Sequence, residues 1–224
     1  ERSVHFAPDG KSVVYAGERN GLWQIYQAKM LDKDGKQLVY AKDIEEKNIS
    51  NSDQTSFQPK FSPDGKKVAF LENRTTIRVI DLASGRVNTA MDGKWEYSYS
   101  DGDQQFAWAP DSKWLVSKYI GVGGWNNSDV ALVKADGSEL HNLTVSGYND
   151  SSAQFVLGGK ALLWESDRAG YRSHGSWGAE SDFYIMFFDV DAYDRFTMSK
   201  EEAALFDDAD KKDDEKKDNT PVAN

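Results

Sequence analysis

The sequence contains no cysteine in its 224 residues and only three histidines. Without cysteine, neither a disulfide framework nor a thiolate metal site can form. The sequence also has no apolar run approaching the roughly 20 residues that a membrane-spanning helix requires. These absences exclude disulfide-stabilised scaffolds and thiolate chemistry, and they are compatible with any cellular compartment.

Basic residues are also fewer than acidic ones. Lysine and arginine number 27 against 37 acidic residues, which gives a net charge of −10. A basic surface supplies most of the affinity for nucleic acids and for anionic membranes. We therefore expect neither nucleic acid nor a membrane as a partner. Hydrophobic residues make up 39% and aromatic residues 12% of the chain, which is enough for a packed β-structure.

Proline occurs only five times, yet three prolines occupy the same position in a repeated motif. The motif starts with an aromatic residue at 6, 61, 108 and 155, so the steps are 55, 47 and 47 residues. Repeats of about 40–50 residues that carry strand patterns are typical of β-propeller blades. The four copies are Phe6–Tyr15, Phe61–Phe70, Trp108–Ser117 and Phe155–Trp164.

The motif combines a turn with an apolar strand. In the second copy, Ser62-Pro63-Asp64-Gly65 has the residues that reverse a chain, because proline presets φ and glycine tolerates positive φ. The following Val68–Leu71 is apolar at every position instead of alternating. Such a run is typical of a strand that is covered on both faces, as the strands of a blade between two neighbouring blades are.

These patterns predict an all-β fold of about four four-stranded propeller blades over residues 1–198, with repeats starting near 1, 51, 98 and 149. Propellers typically close with 4–8 blades, so four blades are at the lower limit. Because the fourth copy also lacks an evident outermost strand, we expect an arc or part of a larger ring. In the first blade, Leu38–Tyr40 is the expected outermost strand. In the fourth, no outermost strand is evident.

Residues 199–224 have a different composition. Ser199 and Glu202 form a capping box, which predicts a short helix over about residues 200–209. Residues 199–224 contain nine acidic and five basic side chains. A charged segment of this kind cannot bury enough apolar surface to order itself, so we expect a short helix and a disordered charged tail or linker.

The repeats resemble those of the PD40 or TolB-like propellers. Their usual form is an aromatic residue, Ser-Pro-Asp-Gly-Lys, an apolar strand, and then Ser-Asp-Arg-x-Gly. Arg19, Arg74 and Arg168 each follow the leading aromatic residue by 13 positions, whereas Gly121 takes that position in the third repeat. Because these arginines recur with the repeat, we expect them to pair with loop carboxylates or carbonyls as structural residues.

The C-terminal region has a narrower resemblance. Gly170–Gly178 and the stretch from Asp182 to Glu202 are similar to the propeller region of bacterial tricorn-type proteases of the S41 group. In that group the propeller precedes a PDZ domain and a serine protease domain. The resemblance implies a non-catalytic segment that guides or filters peptide substrates, and it favours a periplasmic or secreted location while leaving the cytoplasm open. The alternative is a TolB-like protein-binding module without a protease.

Two glycine-rich loops contain the candidate ligand-binding residues. The loop from Asp167 to Asp182 is long and offers stacking surface, a cation and a titratable ring, a mixture that suits an extended peptide or a terminal carboxylate. The same loops could instead pack over a neighbouring blade or domain, and their tryptophans leave a carbohydrate ligand open. The candidate peptide-binding residues are Trp125, Tyr171, Arg172, His174 and Trp177.

The sequence predicts no catalytic residue, no metal site and no cofactor in this chain. A Gly-x-Ser-x-Gly nucleophile motif is absent, and His5, His141 and His174 lie in different repeats. We expect His5 to be packed and His141 to be solvated. Asp32–Gly35 has alternating acids before a glycine but lacks the rest of a calcium loop, so it is assigned to a polar hairpin turn.

The turn alignment generates a stability prediction. Gly65 is expected to require positive φ, so Gly65→Val should lower the free energy of unfolding by about 1 kcal/mol or more. Ser112 fills the same position in the third repeat, and from the sequence alone Ser112→Ala should be nearly silent. Thermal unfolding of the two variants tests the alignment, which equal losses would contradict.

Overall fold

The repeats fold into consecutive antiparallel sheets. The computed structural model describes residues 1–32, 35, 37–172 and 178–206. Blade 1 contains β1 (Arg2–Phe6), β2 (Ser12–Arg19), β3 (Leu22–Met30) and β4 (Ile44–Asn48). Blade 2 contains β5 (Ser56–Phe61), β6 (Lys67–Glu72), β7 (Thr76–Asp81) and β8 (Val87–Met91). Blade 3 contains β9 (Phe106–Trp108), β10 (Trp114–Tyr119), β11 (Asp129–Lys134) and β12 (Leu140–Asn142). Blade 4 contains β13 (Asp150–Val156), β14 (Ala161–Ser166) and β15 (Asp182–Phe187).

In every sheet the strands lie side by side in chain order, each antiparallel to the next. Over the described residues, blades 1 to 3 have four strands and blade 4 has three. This agrees with the sequence, in which the fourth repeat has no evident outermost strand. The arrangement is that of β-propeller blades, and the predicted fold class is confirmed.

The core is divided among the interfaces between successive blades. On β6, Val68 and Phe70 pack with the residues of blade 1, while Ala69 and Leu71 pack with those of blade 3. A third cluster joins blades 3 and 4 through Val130 and Leu162, among others. Because the strand is buried on both sides, it is apolar at every position, as the sequence indicated.

The motif turns join neighbouring blades as well as strands. Gly65 has a φ of 70° and Ser112 has a φ of 60°, so both occupy the left-handed region. The Ser112 hydroxyl accepts a hydrogen bond from the Asp64 amide at 3.0 Å, and the Ser112 carbonyl accepts one from Lys67 Nζ at 3.2 Å. Ser112 thus connects the turn of blade 3 to the turn of blade 2. The expectation that Ser112→Ala is silent does not fit these contacts, so equal losses from Gly65→Val and Ser112→Ala would no longer contradict the turn alignment.

The first strands of neighbouring blades are also bonded to each other. Lys60 on β5 donates to the Phe106 carbonyl at 2.5 Å, and the Trp108 indole donates to the Lys60 carbonyl at 3.0 Å. On the other side, the Phe61 amide donates to Nδ1 of His5 at 3.3 Å. These bonds fix the position of each blade relative to the next.

Two local predictions need correction. Leu38–Tyr40, predicted as the fourth strand of blade 1, is a 3₁₀ turn, and the strand is Ile44–Asn48. That strand is exposed and rich in charge, as outer edge strands often are, so no hydrophobic pattern marked it. A helix, α1, covers Val190–Thr197 and is capped by Asp189, and it was not predicted.

The predicted capping box at Ser199 is confirmed. The Ser199 amide donates to a Glu202 carboxylate oxygen at 2.9 Å, and the Glu202 amide donates to the Ser199 hydroxyl at 3.2 Å. The helix it begins covers residues 200–206, and the predicted end near 209 and the charged tail lie outside the described residues. No described helix combines the length and the apolar character that crossing a membrane would require.

Ser112→Ala should therefore lower the free energy of unfolding by about 1 kcal/mol, because the Asp64 amide loses its acceptor. Ser138→Ala is the matched control, since Ser138 is an exposed serine in another turn of blade 3. Urea unfolding of both variants measures the difference. If both retain the parent stability, the bond between the turns does not contribute.

Candidate functional site

Two kinds of connection meet at one end of the sheets, which we call the loop face. Because each blade is an antiparallel meander, the loops between second and third strands lie at the same end as the segments that lead to the next blade. The longest of these connections are the blade 2 to blade 3 segment, the loop after β10 and the loop after β14. Their described residues are 92–105, 120–128, 167–172 and 178–181.

The repeated arginines hold this face together. Arg19 pairs with Glu46 at 2.9 Å, and Arg74 pairs with Asp101 at 2.6 Å. Nη2 of Arg168 contacts both oxygens of Asp150 at 3.0 and 3.1 Å, and Asp150 is 0% exposed. All three partners are carboxylates, as predicted, but only Asp101 lies in a loop, whereas Glu46 lies on β4 and Asp150 begins β13.

The loop after β14 contains four of the five predicted ligand-binding residues. Arg172 donates from Nε to the buried Asp167 at 3.1 Å and lies 5.1 Å from the ring centre of Tyr148. Asp167 also accepts from the Asn149 amide at 2.9 Å, so the base of the loop is tied to the segment before β13. Tyr171 is 70% exposed. The remaining two, His174 and Trp177, lie outside the described residues.

Trp125, the fifth predicted residue, lines an aromatic cleft. Its ring is 6.1 Å from that of Tyr97, with an angle of 44° between the ring planes. The cleft has a volume of about 550 Å³ and is formed by the blade 2 to blade 3 segment, the end of β10 and the loop after β10. We call it the aromatic cleft, and its lining residues are Tyr97, Tyr99, Asp103, Gln104, Lys118 and Trp125.

Trp95 anchors the segment that carries the two tyrosines. Its carbonyl accepts a hydrogen bond from the Ile120 amide at 2.9 Å, and its ring lies 5.7 Å from that of Tyr119. Further on, Asp103 closes a tight turn by accepting from the amides of Tyr99 and Ser100 at 2.5 and 2.8 Å. The segment is thus fixed to blade 3 at Trp95 and is closed by its own turn at Asp103.

A buried carboxyl group lies beside the cleft. Glu96 is 6% exposed; its Oε1 accepts from the Tyr97 amide at 3.0 Å, and its Oε2 has no hydrogen-bond partner. Burial raises the pKa of Glu96 to about 7, while the Tyr97 amide and the charge of Lys118 act in the opposite direction. A carboxyl in such a place favours its protonated form over an unusually wide pH range.

Comparisons with known proteins identify the fold. No protein-family model matches the sequence. Over 138 residues the chain is 28% identical to a tricorn protease homolog from Saccharolobus solfataricus. The aligned region covers 62% of this chain and 12% of that protein. TolB from Acinetobacter baumannii superposes with a TM-score of 0.51 at 20% identity, covering 81% of this chain and 40% of TolB. A putative TolB from Agrobacterium tumefaciens superposes with a TM-score of 0.53 at 17% identity. The superposition covers 84% of this chain and 66% of the TolB chain.

The chain has a TolB-like β-propeller fold. Its sequence resembles the propeller region of tricorn-type proteases, and it spans only about an eighth of the length of the tricorn protease homolog. The repeats are thus the blades of a TolB-like propeller fold.

The two histidines among the described residues, His5 and His141, lie in different blades. His5 is packed beside Phe61, with 6.1 Å between the ring centres, and burial together with the charge of Lys60 lowers its pKa. His141 is exposed and lies 3.2 Å from Glu139. Both agree with the sequence expectation. Over residues 1–32, 35, 37–172 and 178–206, no cluster of three or more His, Asp or Glu side chains is placed to bind a metal.

Sequence reasoning missed most of the aromatic cleft. Trp125 was identified from its glycine-rich loop, whereas Tyr97, Tyr99, Gln104 and Lys118 were not identified. The available signal was the cluster of three aromatic residues in five positions at 95–99, in a segment between blades where no core strand was expected.

The raised pKa of Glu96 predicts a pH effect on stability. The folded propeller keeps this proton up to about pH 7, whereas the unfolded chain releases it near pH 4.5, the ordinary pKa of a glutamate side chain. Stability should therefore fall as the pH rises between these values, by up to about 1.4 kcal/mol per pH unit, and level off above them. Glu96→Gln should remove this fall.

Urea unfolding at pH 5 and pH 8 measures the effect as a difference between variant and parent. Glu45→Gln is the control, since Glu45 is an exposed carboxylate on β4. The burial argument fails if Glu96→Gln and the parent lose the same stability between the two pH values.

Proposed function

We propose that this chain is a non-catalytic propeller segment of a tricorn-like S41 serine protease, and that its loop face guides or filters peptide substrates. The observation that carries the proposal is the loop face itself, where exposed aromatic rings lie beside cations fixed by buried carboxylates. Aromatic rings offer contact area to apolar side chains, and fixed cations favour carbonyl and carboxylate groups. The 28% identity to a tricorn protease homolog supports the protease context.

The partners that follow are a peptide or protein ligand and, in the parent protein, PDZ and protease domains. Catalysis would then be supplied by the protease domain. Within the propeller, Tyr171 is the most direct candidate for ligand contact in the loop after β14, because it is exposed while Arg172 is held by Asp167.

The second candidate is a TolB-like module that binds a partner protein without an attached protease. The similarity to two TolB structures, with TM-scores of 0.51 and 0.53, favours this alternative. The parent reading frame separates the two candidates. PDZ and S41 domains encoded downstream would support the protease segment, and their absence would support the TolB-like module.

Unfolded casein is a suitable probe of the proposed activity. The purified chain should bind casein without cleaving it, and Tyr171→Ala should weaken binding about tenfold without lowering the melting temperature. Arg172→Ala is less informative, because it leaves the buried Asp167 without its ion pair and should lower stability as well.

Val39→Ala is the control, since Val39 is equally exposed but lies in the 3₁₀ turn between β3 and β4, away from the loop face. Fluorescence anisotropy of labelled casein and gel analysis after incubation measure binding and cleavage. Lack of casein binding by the parent chain would reject a substrate-guiding role, and cleavage would reject a non-catalytic one.

A further inference from the structure

Blade 4 has an open strand edge. In blades 2 and 3 the last residue of the third strand is bonded to the residue that leads into the fourth. The Asp81 amide donates to the Arg86 carbonyl at 2.9 Å, and the Lys134 amide donates to the Glu139 carbonyl at 3.0 Å. Phe187 holds the equivalent position at the end of β15, and among the described residues no strand lies beside β15 on that side. We call this side of β15 the open edge.

The pairing of β15 with β14 shows which main-chain groups point to the open edge. The Phe188 amide donates to the Lys160 carbonyl at 2.8 Å, and alternate residues counted back along β15 face β14 in the same way. The residues between them face in the opposite direction. The N–H and C=O groups of Phe183, Ile185 and Phe187 therefore point away from the sheet, toward the open edge.

The open edge lacks the features that prevent a strand from pairing. Natural edge strands are usually short, charged, interrupted by proline or covered. The edge strand of blade 1, β4, has three charged residues among its five, and that of blade 3, β12, is only three residues long. By contrast, β15 has six residues, and Phe183–Phe187 contains neither a charge nor a proline. An apolar edge of this kind is a template for a further strand.

The side chains beside the open edge are apolar as well. Tyr184 and Met186 pack toward blade 3, so the alternate side chains of Phe183, Ile185 and Phe187 lie on the opposite face of the sheet. This face has no further sheet over it among the described residues. The open edge is consequently flanked by three apolar side chains on one side.

Helix α1 adds aromatic rings at one end of this face. The ring of Phe187 lies 5.4 Å from that of Tyr193 and 5.3 Å from that of Phe196. Tyr193 is still 51% exposed and Phe196 58% exposed, and at the other end of β15 Phe183 is 71% exposed. One end of β15 therefore presents a single exposed ring, and the other presents a cluster of rings.

We propose that two copies of this chain associate through the open edge, with their β15 strands antiparallel and Ile185 of one copy opposite Ile185 of the other. In this register Phe183 faces Phe187 of the second copy. Each of the three facing pairs exchanges two main-chain hydrogen bonds, about six in all. The surface is self-complementary, as the interface of a two-fold dimer has to be.

The side chains favour a second copy over an unrelated strand. The antiparallel register brings the exposed Phe183 of one copy beside Phe187, Tyr193 and Phe196 of the other, at both ends of the pairing. Aromatic pairs across strands add to the main-chain bonds. An unrelated extended peptide forms the same main-chain bonds but does not bring a matching ring and helix.

Sedimentation equilibrium of the full chain tests the proposal. The measurement uses about 0.15 M salt, which screens the repulsion between copies that each carry a net charge of −10. The average mass should rise with concentration from that of one copy toward that of two. Ile185→Lys places two like charges opposite each other at the centre of the pairing and should weaken association at least about tenfold. Ile185→Glu should do the same.

A mixture of the two variants tests the register. Because residue 185 faces its own counterpart, the Lys and Glu variants should associate with each other and restore the dimer. Ile44→Lys is the matched control, since Ile44 is 49% exposed on the edge strand β4, and it should leave association unchanged. Melting temperatures of all variants establish that they fold.

Amide hydrogen exchange locates the interface. On association, exchange should slow at Phe183, Ile185 and Phe187, whose amides point to the open edge, and should change less at Tyr184 and Met186, which are already bonded to β14.

Several results would overturn the proposal. These are a single copy at every concentration, association that Ile185→Lys leaves unchanged, or a mixture of the Lys and Glu variants that stays dissociated. A labelled peptide with the sequence of residues 182–187 tests the other kind of occupant. If this peptide binds the open edge while the chain remains a single copy, the edge accepts a strand but the second copy is the wrong partner.

Discussion

The fold depends on one constraint: a sheet between two others has to bury both of its faces against its neighbours. A strand such as β6 therefore sends Val68 toward blade 1 and Ala69 toward blade 3, and it has no polar side to present. The buried apolar side chains lie mostly along the strands of the blades. Polar and aromatic residues that could meet a ligand are consequently concentrated at the strand ends and in the connections, where the loop face lies.

The same constraint requires that successive blades keep a fixed spacing. Apolar contacts between sheets are not directional, so the alignment is set by polar bonds that cross the interfaces. Lys60 reaches the Phe106 carbonyl, and Ser112 connects to Asp64. The aromatic cleft depends on this alignment, since Tyr97 comes from the segment after blade 2 and Trp125 from the loop inside blade 3.

The features readable from the sequence are those that repeat. The turn motif and the non-alternating apolar strands predicted the blades, because each copy meets the same physical demands. Leu38–Tyr40 was misassigned because a short apolar run was more visible than the charged edge strand Ile44–Asn48. The cleft could not be predicted, because Tyr97 and Trp125 are brought together by the packing of one blade on another and not by any local pattern.

The distribution of charge also affects which ligands the loop face can bind. The chain has a net charge of −10, yet three acidic residues of the loop face are engaged within the protein. Asp103 holds a turn, Asp167 holds Arg172, and Asp150 holds Arg168. At the aromatic cleft, the lining includes three aromatic residues and Lys118. A surface of this kind offers a ligand aromatic contact area and one cation, because Asp103 is engaged in its own turn.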